Sequence, residues 1–165
     1  MTGLRGDLSD RKGLPALFDR VVDLLGGGID ILLNNAGIQC RNHCEDFTLE
    51  DWDAVLNMNL TTVFALCQLA GRKMLAQGGG KIINMTSMLS FFGGLTVPAY
   101  AASKGGVAQQ TKALRNEWAG RNIQVNVIAP GYMNTEMNTA LVNDASRNAE
   151  ILGRIPAHRW GKPEI

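Results

Sequence analysis

The chain reads as an α/β protein, a parallel sheet with helices on both faces joined by right-handed crossovers. Three observations predict this. Helical segments with apolar residues three and four apart alternate with short apolar runs of strand length. Glycine triplets end two of the helical segments. Small or polar residues then follow each strand-like run, at the carboxyl ends where open α/β sheets gather their ligands.

The first helical segment runs from Asp10 to Leu25, with Leu14, Leu17, Phe18, Val21, Val22 and Leu25 on one face and Pro15 in the first turn, where its missing donor costs nothing. Gly26-Gly27-Gly28 stops it, and Ile29 to Asn34 follows as a buried parallel strand. Thr48-Leu49-Glu50-Asp51 opens a second helix that keeps one apolar face through to Ala76, where Gly78-Gly79-Gly80 ends it. Lys81 to Met85 is the next strand, Pro98 to Ala119 the next helix, and Ile123 to Ile128 the third strand. Asn134 to Asn148 is polar and weakly helical, suited either to a substrate flap or to a plain surface loop.

At 165 residues and 45% hydrophobic, one domain with a sizeable core is the default. Sixteen basic against fifteen acidic residues, a net charge of +1 and no Lys/Arg cluster leave no footprint for nucleic acid or an anionic membrane, so a small-molecule partner fits better. No apolar stretch has the length of a membrane span, and Met1 to Asp7 lacks a signal-peptide core, so a cytoplasmic protein is expected. Three cysteines without paired spacing predict reduced thiols. Cys40, His43 and Cys44 lack a second pair of ligands downstream, so no metal site is assigned.

The chemistry concentrates in Tyr100-Ala101-Ala102-Ser103-Lys104. A tyrosine hydroxyl titrates near ~10, so a neighbouring cation is needed for it to act as a base near neutral pH. Lys104, one helical turn on, supplies that charge. Ser87 follows a strand, where its hydroxyl could bond a substrate oxygen; Thr86 and Ser90 are rival hydroxyls, and a turn or capping role is the plain alternative. Asn59 occupies an unfavourable interior helix position and could hold a proton-relaying water, with Asn57 as its competitor.

Asn34-Asn35-Ala36-Gly37, Asn59, Ser87, Tyr100-x-x-x-Lys104 and Pro130-Gly131 stand in one order, and through them the chain resembles the short-chain dehydrogenase/reductase family. The resemblance implies a partial Rossmann-like, doubly wound parallel sheet with helices on both faces, and 1–165 as a single incomplete domain whose 134–160 region would be the substrate flap. Relative to the family, the glycine-rich pyrophosphate turn and the last strand are missing, so a three-stranded remnant with an unprotected apolar edge is expected. The resemblance selects Ser87 and Asn59 from their rivals, and implies Asn59, Ser87, Tyr100 and Lys104 as the catalytic set.

For the cofactor, NAD or NADP with NAD favoured, the resemblance implies Asp7 and Leu8 on the adenine side and Asn34, Asn35, Ala36 and Gly37 beside the ribose. Asn34 would also tie neighbouring strands together. Tyr100 and Lys104 would meet the nicotinamide side, with Pro130, Gly131, Met133 and Thr135. The stretches Ser87 to Gly94 and Arg154 to Pro163 are similar to members that oxidise gluconate-type sugar acids, for which Gln39, Arg41, Arg154 and Arg159 are candidate carboxylate partners. The expected activity is hydride transfer between the cofactor and a secondary alcohol or ketone, in a full-length homodimer or homotetramer. The alternative is a truncated, non-catalytic remnant serving as a dimerisation or interaction module.

Overall fold

The computed structural model describes residues 2–162, so Pro163 of the sugar-acid-like tail lies outside the described residues. The chain forms two compact units, Met1–Ala129 and Pro130–Ile165.

In the first unit the order is α1 (Leu14–Leu24), β1 (Ile31–Asn34), α2 (Leu49–Leu56), α3 (Thr62–Gln77), β2 (Gly80–Met85), α4 (Leu89–Phe92), α5 (Pro98–Trp118) and β3 (Ile123–Ile128). The strands form one parallel sheet in the order β1-β2-β3. Ile31 is in register with Lys81 and Lys81 with Gln124, which fixes the alternation of side chains across all three strands. Ile82 and Val125, from one side of that alternation, are buried among Val63, Cys67, Val107, Leu114 and Trp118 of α3 and α5, and partly buried Leu32 packs against the same cluster. The opposite side is open: Ile31 is 60% exposed and Leu33 54%. β1 is therefore an edge strand with exposed apolar side chains, the unprotected apolar edge of a three-stranded sheet that the resemblance implies, two residues shorter than expected and not buried as its composition alone suggests. The cause is tertiary, since a strand is covered only where a neighbour or a helix supplies the other wall.

Each boundary has a local reason. Pro15 sits in the first turn of α1, and Gly26 and Gly27 beyond its end take positive φ of 83° and 92°. Thr48 caps α2 by accepting the Asp51 N–H at its hydroxyl, 3.1 Å away. The long second helix does not run uniformly: Asn57–Thr61 is a π-helical turn between α2 and α3, and Asn59 stands in its middle. Such turns cluster at functional positions and explain how an asparagine is accommodated inside a helix. Gly78 closes α3 in the left-handed conformation. α4, unforeseen from the sequence, is a single turn directly after Ser87.

Leu49–Gln77 is apolar and long enough to cross a bilayer by length and composition. A core helix passes the same test, and here Val63, Cys67, Ala70 and Met74 are buried in the sheet-facing core. Gly71 belongs to the same face; a Cβ there would stand 2.8 Å from Cζ2 of Trp118, so the glycine is what lets the α5 indole lie against α3.

In the second unit, α6 (Thr139–Asn143) and α7 (Ala145–Arg154) occupy most of the expected flap. Asp144 caps α7 by accepting the N–H groups of Ser146 and Arg147, both at 3.0 Å. Met133 bridges to Gly161, and the Tyr132 and Trp160 rings meet edge to face at 5.7 Å.

Candidate active site

Tyr100 and Lys104 lie near the start of α5, whose fixed φ at Pro98 sets its first turn. Lys104 is only 5% exposed, and its Nζ donates to the Met85 carbonyl at the end of β2, 2.8 Å away. That Nζ stands 5.6 Å from the centroid of the Tyr100 ring. Burial lowers the lysine pKa to about 8.

The tyrosine departs from expectation. Burial raises the Tyr100 pKa, while a hydrogen bond with Ser87 and the positive charge of Arg41 pull it down less strongly. Lys104 Nζ bonds the Met85 carbonyl while it stands 5.6 Å from the Tyr100 ring centroid.

Ser87 does two jobs that the sequence offers as alternatives. Its Oγ accepts the Leu89 N–H at 3.1 Å, ordering the turn into α4, and the same side chain is near enough to Tyr100 to lower the phenol pKa. Its rivals are occupied elsewhere: the Thr86 hydroxyl donates to the Ile128 carbonyl at 3.1 Å, and the Ser90 hydroxyl accepts the Ser87 N–H at 3.4 Å.

Asn59 is completely buried and its amide is heavily engaged. Oδ1 accepts the Ile38 N–H at 2.8 Å, while Nδ2 donates to the Ile38 carbonyl at 2.9 Å and to Ser103 Oγ at 3.2 Å. Both amide protons are spent within the protein, so the amide clamps the loop after β1 instead of serving as an open water site. Asn57, the competitor, donates to the Ser9 carbonyl at 3.0 Å and supports the N-terminal segment.

Among the expected cofactor residues, Leu8, Asn34, Asn35 and Ala36 come together around a cavity of about 90 Å³, completed in part by Met58 and Thr62. The Thr62 hydroxyl donates to the Leu8 carbonyl at 2.9 Å, which holds the otherwise strandless Asp7-Leu8 segment in place. Asp7 is exposed and does not line that cavity; its Oδ1 accepts both the backbone N–H and the hydroxyl of Ser9, lowering its pKa. Gly37 faces the catalytic side: a Cβ there would lie 3.1 Å from Asn59 Oδ1 and 3.6 Å from Lys104 Nζ. Pro130, Gly131, Met133 and Thr135 lie in the second unit, where the Met133 carbonyl accepts from the Thr135 N–H at 3.0 Å and from Asn138 Nδ2 at 2.9 Å.

Of the four candidate carboxylate partners, Arg154 is paired with Glu150 on α7, and Arg159 is exposed. With its amide correctly oriented, the Gln39 side-chain oxygen accepts from Arg41 Nε at 2.9 Å. Arg41 thus carries its charge into the electrostatic environment of Tyr100 on a buttressed guanidinium. Among the described residues no group of three or more His, Cys, Asp or Glu could hold a metal.

Asn34 ties neighbouring strands together as the resemblance implies, but sequence reasoning passed over its partners Asn84, Cys67 and Thr111 in the buried polar cluster. Asn34 Nδ2 donates to Asn84 Oδ1 at 2.8 Å and to Cys67 Sγ at 3.3 Å, and Asn84 Nδ2 donates to Thr111 Oγ1 at 2.9 Å. The available signal was an asparagine inside a strand, a position this residue type usually avoids. Ser103 was missed as well, lying unremarked between Tyr100 and Lys104.

The family model for short chain dehydrogenases matches residues 1–146. Over 161 residues the chain is 53% identical to 2-dehydro-3-deoxy-D-gluconate 5-dehydrogenase of Escherichia coli K12, an alignment covering 97% of this chain and 63% of that relative. Over 136 residues it is 57% identical to the Bacillus subtilis 168 protein of the same name, covering 82% of this chain and 54% of the relative. A solved gluconate 5-dehydrogenase from Burkholderia cenocepacia J2315, in complex with NADP and tartrate, matches with a TM-score of 0.90 at 43% identity, over 95% of this chain and 61% of that one. The chain therefore spans less than two thirds of the length of these relatives. A parallel sheet of this order, a Ser87, Tyr100 and Lys104 cluster at its carboxyl end, and identity of this extent lead to one conclusion: the chain belongs to the short-chain dehydrogenase family.

Proposed function

We propose that this chain forms the catalytic part of an NAD(P)-dependent oxidoreductase that interconverts a secondary alcohol and a ketone on a gluconate-type sugar acid. One observation carries the reading: Lys104 is buried one turn from Tyr100, its Nζ against the Met85 carbonyl and 5.6 Å from the phenol ring centroid, with Ser87 near enough to pull the phenol pKa down. The alternative of a non-catalytic interaction module is not favoured, since it gives no reason to bury a lysine beside that pair.

Tyr100 gives its proton to the substrate oxygen in reduction and takes it back in oxidation, while Ser87 holds that oxygen by a hydrogen bond. The raised phenol pKa suits the donor role directly. The nicotinamide group supplies the hydride when bound. The residues present fit such a cofactor at one tested point: the side-chain-free gap at Gly37 lies beside the Lys104 ammonium, which would hold ribose hydroxyls there. Asn59 keeps that gap open by clamping Ile38. Asp7, Leu8, Asn34, Asn35 and Ala36 would serve the adenosine side, and Pro130, Gly131, Met133 and Thr135 the nicotinamide side. Arg41, buttressed by Gln39, is the group suited to a substrate carboxylate, because its charge already reaches Tyr100. The sugar-acid names of the E. coli and B. subtilis relatives support that substrate class.

NAD is favoured from the sequence resemblance, whereas the Burkholderia relative holds NADP. Titration with NADH and NADPH, followed by nicotinamide fluorescence and by absorbance on keto-gluconates, separates them and tests the whole reading. Saturable binding with turnover that Tyr100→Phe lowers by roughly 10²-fold or more supports it. A folded chain that binds neither nucleotide defeats it. The working protein is taken to be a cytoplasmic homodimer or homotetramer acting on a small molecule.

A further inference from the structure

Ser103 stands between Tyr100 and Lys104 on α5, is completely buried, and makes two bonds of different kinds. Its hydroxyl donates to the Tyr100 carbonyl at 2.8 Å, three residues back along the same helix. Its proton thus committed, the oxygen offers a lone pair, and Asn59 Nδ2 donates to it at 3.2 Å. Asn59 is thereby tied to α5, while the Ile38 N–H and carbonyl, bonded to its Oδ1 and Nδ2, set which way the amide faces. With Nδ2 toward Ser103, Oδ1 meets the Ile38 N–H at 2.8 Å. A flipped amide would set its NH₂ against that N–H.

The consequence reaches the site through Gly37, the residue before Ile38. The place of its absent Cβ is flanked by Asn59 Oδ1 on one side and Lys104 Nζ on the other, at 3.1 and 3.6 Å. The bonds from Ile38 to Asn59 to Ser103 to the Tyr100 carbonyl therefore set the spacing between the loop after β1 and the turn of α5 that carries both proton-handling groups.

We propose that Ser103 is a positioning residue: by tying the Asn59 amide to α5 it holds the Gly37-Ile38 turn against that helix and so keeps Lys104 sequestered beside Tyr100. It touches neither reacting group through its own side chain. The inference rests on the proposed function for its meaning but not for its test. The groups facing Lys104 Nζ are the Met85 carbonyl, the Tyr100 ring and the bare face of Gly37; burial depresses its pKa.

The test compares the wild-type chain with Ser103→Ala by NMR, following the Lys104 ¹³Cε titration and the exchange of the Ile38 amide. The expected result is a Lys104 midpoint raised by about one pH unit toward the ordinary lysine value, as water enters the loosened turn. Ile38 exchange should quicken by roughly tenfold or more once its acceptor is no longer fixed. Where the wild type turns over substrate, kcat should fall by roughly tenfold, and its pH profile should move in the same direction as the NMR midpoint. An unchanged Lys104 midpoint together with unchanged Ile38 exchange overturns the inference, whether or not the chain is active. Loss of the proposed function itself would appear differently, as a wild type that binds no nicotinamide nucleotide while these NMR differences persist. If Ser103→Ala does not fold, Ser103→Cys, close in size and a weaker bonding partner, should show both changes in smaller measure, and its identity to wild type would be equally fatal.

Discussion

Asn34 and Asn84 sit side by side in register on β1 and β2, and the Asn34 amide donates to the Asn84 amide oxygen at 2.8 Å. Two buried asparagines in adjacent strands would each be costly alone; paired, and extended to Cys67 and Thr111, they tie four elements together. The carboxyl ends of β1 and β2, which present Asn35 to Gly37 and Ser87, are held level by that tie.

Replacing Asn84 by leucine removes the acceptor for Asn34 and the donor to Thr111 while keeping similar bulk. The expected loss is about 1–3 kcal/mol of stability, read as a lower urea midpoint at unchanged slope. A midpoint equal to wild type would show that the cluster contributes nothing net.

Gly37→Ala places a methyl group 3.1 Å from Asn59 Oδ1 and 3.6 Å from Lys104 Nζ. Such a contact requires only a few tenths of an ångström of movement, so the urea midpoint should change little. Nicotinamide nucleotide affinity should fall by roughly tenfold, because the methyl occupies space proposed for the ribose. Fluorescence titration of the variant at a temperature where it is fully folded decides the matter.

The fit of Trp118 against Gly71 predicts a different outcome. An alanine at 71 would overlap the indole, and overpacking of a buried contact costs about 1–3 kcal/mol. Thermal unfolding should move down, with a shifted Trp118 emission, and Gly71→Ala/Trp118→Phe should recover part of the loss.

Lys104 makes stability depend on pH with a definite sign. Its folded pKa is about 8 against an ordinary 10.5, so between these values the unfolded lysine keeps a proton that the folded one has lost. Stability therefore rises with pH above about 8, by up to about 1.4 kcal/mol per unit. Above the ordinary thiol value of 9.0, Cys67, raised by burial to about 11, opposes the rise, since its unfolded thiol loses a proton that the folded one keeps. The clean window is about pH 8 to 9. Urea midpoints across it should climb for wild type and stay level for Lys104→Met; parallel curves would refute the assignment.

The sequence by itself determined the alternation of helix and strand and most of the chemistry-bearing positions. Apolar periodicity and glycine stops are local, so α1, α3, α5, β2 and β3 lie within a few residues of where the sequence puts them. The Tyr100 and Lys104 spacing is likewise a property of one helix. Tertiary structure alone decided the rest. The resemblance already implied an unprotected apolar edge, but that the edge falls on Ile31 and Leu33 depends on what lies beside β1, which among the described residues pairs only with β2. Where the flexible four-carbon stem of Lys104 points is likewise tertiary, and its Nζ meets the Met85 carbonyl while standing over the Tyr100 ring. Asn59 turned from water holder to clamp, and Ser103 and Asn84 gained importance, for the same physical reason. A buried polar group must be paired, and its partner, forty-four residues away for Asn59 and Ser103, exists only once the chain has folded.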